Sequence, residues 1–158
     1  MAKVKKQASE SPRVLNNKRA RYDYEFVSTH EAGIVLAGTE VKSVFLGRAN
    51  LGDSYCLIRG GELWLINMDI EPYDHASHFQ HDRRRERKLL MHRKEIDTLA
   101  RRSQEKGFSI IPAKLYFKGG RVKVEVALGR GKREYDKRDK IAKDEQRREM
   151  ERLRSHRA

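Results

Sequence analysis

The stretch Ser109-Ile-Ile-Pro-Ala-Lys-Leu-Tyr-Phe-Lys-Gly-Gly-Arg-Val-Lys-Val-Glu-Val-Ala-Leu128 decides the fold. Val122, Val124 and Val126 alternate with Lys123, Glu125 and Ala127, the two-residue period of a strand with one buried and one wet face. Gly119-Gly120 separates this run from a second strand over 109–117, and paired glycines supply the positive φ that a tight hairpin turn needs. The same grammar recurs upstream, where strand-like runs 54–59 and 62–70 flank Gly60-Gly61. Tyr24, Phe26 and Val27 are extended in pattern, as are Ile34, Val35 and Leu36 after Gly33. Val41, Val44 and Phe45 fall at helical spacing over 39–46, and Gly47 follows as a C-cap. Asp82 is expected to cap a helix running to about Lys106, with Leu89, Ile96, Leu99 and Ala100 on its buried face. Arg84, Arg87, Lys94 and Arg101 would then stay solvated. Short antiparallel strands interrupted by helices imply a mainly β protein, a small antiparallel OB-fold-like barrel with accessory α-helices.

Charge divides the 158 residues more sharply than hydropathy does. Lysine and arginine outnumber acids 36 to 23, a net +13 that points to a polyanionic partner. Residues 1–24 carry net +5, residues 25–81 net −5, residues 82–102 net +5, residues 103–128 net +3 and residues 129–158 net +5. An acidic body is thus flanked by a basic arm, a basic insert and a basic tail. The expected organisation is a disordered arm over 1–15, a barrel domain over 16–130 and a basic tail over 131–158. From Lys132 onward there is neither Gly nor Pro, and acids precede bases by four residues at Glu134/Arg138, Asp136/Lys140, Asp139/Lys143 and Asp144/Arg148. Tyr135, Ile141, Met150 and Leu153 are too few to dock such a helix on a core. The tail is therefore expected to be disordered alone and helical on a polyanionic template.

Several functions lose support at this stage. One cysteine, Cys56, permits neither a disulfide framework nor a cysteine-based zinc site, and it sits in an apolar strand as a small core residue. Gly33 to Gly38 echoes a phosphate-binding loop, but Thr39-Glu40 stands where Lys and Ser/Thr are required. His75, His78 and His81 could ligate a transition metal with Asp82 nearby, although no second cluster supports such a site. No apolar stretch follows Lys3, Lys5 and Lys6, and no segment approaches a membrane span. A cytoplasmic protein, neither enzyme nor membrane protein, with no cofactor is the expectation.

Seven blocks then stand out in order: Asn17-Lys-Arg-Ala-Arg21, Glu31-Ala-Gly-Ile-Val-Leu36, Gly38-Thr-Glu-Val-Lys-Ser43, Asp53-Ser-Tyr55, Arg87-Lys-Leu-Leu90, Leu115-Tyr-Phe-Lys118 and Gly131-Lys-Arg-Glu-Tyr-Asp-Lys-Arg138. Together they resemble the SmpB family, the bacterial tmRNA-binding proteins, over 17–138. The resemblance implies an OB-type barrel that binds the tRNA-like domain of tmRNA and delivers it to the A site of stalled ribosomes. The tail would occupy the empty mRNA channel near the decoding centre of small-subunit ribosomal RNA, so that the nascent peptide is tagged for proteolysis. Alanyl-tRNA synthetase and EF-Tu would be indirect partners through tmRNA.

Each block also has a physical reading. Asn17, Lys18, Arg19 and Arg21 suit phosphate contacts that position an RNA. Glu31, on an expected bend before Gly33, could accept from a base amino group or a sugar hydroxyl. Leu90 and His92 cannot both join the buried stripe, so Leu90 is either core or a surface for splayed bases. Lys123, on the wet face of its strand, suits a phosphate. Gly131 would give a flexible exit to Lys132, and Tyr135 beside Asp136, Lys137 and Arg138 combines a stacking plane with charge neutralisation. The family often has His where Tyr135 stands and Pro where Arg83 stands. A general OB-type binder of single-stranded RNA would explain the charge and barrel but not the ordered blocks. A His-metal nuclease would require divalent-dependent RNA cleavage.

Overall fold

The computed structural model describes residues 12–76 and 80–156, with the side chains of 134–136 excepted. Both Gly-Gly hairpins form. Strand β4 (Tyr55–Arg59) pairs with β5 (Glu62–Ile66), and β8 (Phe108–Lys118) pairs with β9 (Arg121–Gly131). All four turn glycines have positive φ, between 59° and 75°, which is why the turns take glycine. The remaining elements are β1 (Leu15–Asn16), α1 (Lys18–Asp23), β2 (Tyr24–Ile34), α2 (Gly38–Phe45), β3 (Ala49–Asn50), β6 (Asp69–Ile70), β7 (Arg87–Leu90), α3 (Arg93–Ser103) and α4 (Glu134–Ser155).

Strands β8-β4-β5-β7-β2-β9 follow one another around a ring, and β9 pairs back to β8, so the barrel closes. The seam is thin: β4 meets β8 only at Cys56↔Ile110, and β1 takes over that edge of β8 further along, at Leu15↔Leu115. Inward-facing Leu63, Leu65, Leu89, Leu115, Val122, Val124, Val126 and Leu128 fill the interior, joined by Val44 from α2 and by Ile96 and Leu99 from α3. The mainly β, OB-fold-like architecture expected from the sequence is present.

Five local expectations are corrected. Residues 82–106 are not one helix: β7 occupies 87–90 between β5 and β2, and α3 begins at Arg93. The run has good helix formers, but Leu89 is 1% exposed only because it fills the barrel between Leu63 and Ile34. Pairing on both edges outweighs propensity. Asp82 does not cap a helix; its carboxylate accepts from the Arg84 amide in a turn. Glu31 lies in the middle of β2 rather than on a bend. Ala127, expected to be wet, is fully buried, because α1 lies on the outside of the barrel and packs Ala20 against Ile111, Ala113 and Ala127. The strand expected over 62–70 divides at Asn67, whose φ of 67° breaks the pleat between β5 and β6.

A largest-scale surprise sits under the basic insert. Arg87 is 0% exposed and is not a solvated base. Its guanidinium pairs with the Glu40 carboxylate and donates to the carbonyls of Met68, Arg85, Arg83 and Asp82 at 2.8 to 3.3 Å. Glu40, also fully buried, accepts from Arg85 and from the Ala37 amide at the start of α2. Burial alone would raise the Glu40 carboxyl, but these hydrogen bonds outweigh it and hold the group below its ordinary value. This buried ion pair, with Arg83–Asp69 and Arg85–Glu40 beside it, fastens the turn carrying Arg83, Arg84 and Arg85 to the barrel.

Candidate nucleic-acid interface

Register places one group of candidate residues in a row across four strands. Leu90 on β7 faces Gly33 on β2, Gly33 faces Lys123 on β9, and Lys123 faces Tyr116 on β8. Glu31, two residues before Gly33, projects from the same outer face of β2. Leu90 is 53% exposed, so it belongs to the surface and not to the core. Its side chain lies against Gly33: a Cβ there would meet three Leu90 side-chain atoms at 3.4 to 3.9 Å, ordinary contact distance. An apolar step thus lies open beside Lys123 and Arg121, which line the same shallow groove. Base faces can settle on such a step while lysines meet phosphate. His92, exposed, ends β7's extension as the N-cap of α3 without a side-chain capping bond.

Glu31 is not alone on that face. Its carboxylate accepts from the Tyr116 hydroxyl at 2.5 Å and from Lys118 Nζ at 3.3 Å. The Tyr116 hydrogen bond, with Lys118 and Lys123 adding to it, holds the Glu31 carboxyl below its ordinary value. In return burial and Glu31 push the Tyr116 hydroxyl up to about 12. Tyr116 and Lys118 join this face without having stood out in the sequence, where their alternation with Leu115 and Phe117 on β8 is the signal.

The second group gathers around α1, a short helix that the sequence pattern did not announce. Asn17 is its N-cap: the side-chain oxygen accepts from the Ala20 amide, and the side-chain amide donates to the carbonyls of Leu51 and Pro112. At 2% exposure its polar atoms face its own chain, and it holds α1 in place. Lys18, Arg19 and Arg21 are exposed, Arg19 pairing with Asp53 at 2.8 Å and Arg21 lying over the Phe26 ring.

The root of the tail comes to the same helix. Gly131 is not a loose exit, because it ends β9 opposite Tyr24 and its amide donates to Gly107. Lys132 and Lys140 both donate to the Arg21 carbonyl, at 3.0 and 2.9 Å, where the C-terminal end of α1 favours cations. Lys137 pairs with Asp23 at 3.2 Å and lies over the Tyr22 ring. Tyr135 and Asp136 fall in the first turn of α4, and Arg138 on its exposed side. α4 runs for 22 residues in all, and beyond this root Ile141, Met150 and Leu153 are exposed.

Other readings find less. Cys56 is buried, and burial pushes its thiol far above the ordinary range, as suits a core residue. His78 lies outside the described residues. His81 is tied through its two ring nitrogens to Thr39 Oγ1 and the Ile70 carbonyl, each at 2.9 Å. Among the described residues no group of three or more His, Cys, Asp or Glu side chains has metal-site spacing, and no helix is long and apolar enough to cross a membrane.

A sequence model of the SmpB protein family matches residues 14–156. The chain belongs to the SmpB family. The family is one of RNA-binding proteins, not of enzymes. The SsrA-binding protein of Desulforudis audaxviator is 53% identical over 139 residues, covering 88% of this chain and 91% of that protein. The SsrA-binding protein of Syntrophobacter fumaroxidans is 51% identical over 158 residues, covering 99% and 98%. A solved chain described as "tmRNA-SmpB: a journey to the center of the bacterial ribosome" is 43% identical and superposes with a TM-score of 0.66, covering 81% of this chain and 94% of that one.

Proposed function

We propose that the chain binds the tRNA-like domain of tmRNA through the outer barrel face and α1, and brings it to the A site of stalled bacterial ribosomes in the cytoplasm. Lys18, Arg19, Arg21 and Lys123 would meet phosphates, Glu31 a donor on base or sugar, and Leu90 with His92 the unstacked bases. From a root at Gly131 and Lys132, Tyr135, Asp136, Lys137 and Arg138 with the rest of α4 would enter the empty mRNA channel, with Tyr135 stacking near the decoding centre. The observation that carries this reading is the open leucine step. A 53%-exposed Leu90 lies over Gly33, with the cations Lys123 and Arg121 in the same groove. That is the mixture of apolar plane and positive rim that RNA with splayed bases recognises and a merely solvated sheet lacks. The likeness to SsrA-binding proteins over nearly the full length supports the choice of RNA. The largely exposed α4, with few contacts beyond its root, supports a tail whose helicity depends on its template. Ending the chain after Arg133 and assaying tmRNA binding beside peptide tagging tests the division between the two surfaces.

A further inference from the structure

We propose that Tyr116 is a positioning residue for RNA recognition, fixing the Glu31 carboxylate so that one of its oxygens stays open to the bound RNA. This rests on the reading that Glu31 faces RNA. Glu31 is exposed on β2, and an exposed glutamate ordinarily samples several rotamers whose ordering must be offset on binding. Here the choice is restricted in advance. The Tyr116 hydroxyl reaches from β8 across β9 to Glu31 Oε2 at 2.5 Å, and Lys118 Nζ stands 3.3 Å from the same oxygen. Among the described residues Oε1 has only the longer 3.4 Å approach of Lys118, which leaves acceptor capacity for an amino group or ribose hydroxyl.

Tyr116 is itself held. Lys114 Nζ lies 5.5 Å over its ring and pairs with Glu125 at 3.6 Å, and the strand partner of Tyr116 is Lys123. The groups facing Glu31 are therefore Tyr116 and Lys118 from β8 and Lys123 and Glu125 from β9, where Glu125 is its direct cross-strand neighbour. Without the tyrosine hydroxyl the carboxylate would lose its strongest donor and could swing fully onto Lys118. That would neutralise it as an acceptor for RNA. A donor offered to a fixed, ionised acceptor makes a charge-assisted bond, the kind whose geometry matters most.

The test uses the full-length chain and the tRNA-like RNA domain at fixed salt, comparing Tyr116→Phe, Glu31→Gln and the double variant. Circular dichroism should show all three folded, since Tyr116 and Glu31 lie on the outer face. Tyr116→Phe is expected to weaken binding about fivefold, and Glu31→Gln about tenfold, on the scale of hydrogen bonds to charged groups. The double variant should be no weaker than Glu31→Gln alone. Carbon-13 titration of the Glu31 carboxyl in free protein should move upward in Tyr116→Phe, which a packing role alone would not produce. Additive losses in the double variant, or an unmoved Glu31 titration, overturn the positioning role, as does full affinity in Tyr116→Phe while Glu31→Gln is impaired. Full affinity in Glu31→Gln instead removes the reading on which the inference rests.

Discussion

Glu40→Gln keeps the shape of a buried side chain and removes its charge together with one of its two acceptor oxygens, so it tests the ion pair beneath the basic insert. In the folded chain Glu40 and Arg87 are both fully buried. The substitution leaves the Arg87 guanidinium with its backbone acceptors but without its paired carboxylate. Breaking a buried pair from one side costs about 3–5 kcal/mol. That is a large share of a total of about 5–15 kcal/mol. For a chain of this length it corresponds to a fall in Tm of roughly 6–20 °C. Urea unfolding at pH 7 measures the loss directly. A second variant, Glu40→Gln with Arg87→Met, removes the stranded charge and should recover part of the loss. Recovery stays partial because Arg87 also bonds the carbonyls of Met68, Asp82, Arg83 and Arg85. The pH dependence has a definite sign. Glu40 titrates below its ordinary 4.5 when folded, so its contribution is present above the unfolded carboxyl range and disappears as pH falls through the folded value. Glu40→Gln should lack that part of the acid limb. A loss under about 1 kcal/mol at pH 7 would refute the assignment of the pair as the anchor of the insert.

Two further substitutions separate surface from core. Leu90→Ala should leave stability within about 0.5 kcal/mol of the parent, because the side chain is half in solvent, yet weaken binding of tRNA-like RNA several-fold, as thermal melts and a binding titration would show. Gly129→Ala should cost about 1–3 kcal/mol in urea unfolding, because the new Cβ would lie 2.8 Å from Ile111 Cδ1 and 3.0 Å from Tyr24 Cβ.

Sequence made some of this visible and hid the rest for physical reasons. The hairpins were legible because Gly60-Gly61 and Gly119-Gly120 are needed for positive φ, a requirement that is local. Strand β7 was not, because Arg87-Lys-Leu-Leu90 has helical preference and becomes a strand only between two partners distant in sequence. The burial of Arg87 depends on Glu40, 47 residues away, and no local pattern carries that. Helix α1 had one cue, Asn17 at the cap, and its six residues were too short for periodicity. Missing α1 also misplaced Ala127, which it covers. For the site, the local pattern around Leu90 fits both core and surface, and a helix as well as a strand. The cross-strand register that sets it beside Gly33 and Lys123 decides the matter.

The proposed function gives one chain two separable RNA surfaces, a barrel face for tmRNA and a tail for the ribosome. The cut belongs after Arg133 and not before Gly131, because Gly131 closes β9 against Tyr24 and the Lys132 amide bonds Asp23. In a reconstituted stalled-ribosome assay, the chain ending at Arg133 should bind tmRNA within about threefold of the full protein, well under the tenfold that 1.4 kcal/mol represents, and should add no peptide tag. Retained tagging, or a loss of tmRNA affinity as large as that of Glu31→Gln, would contradict the account.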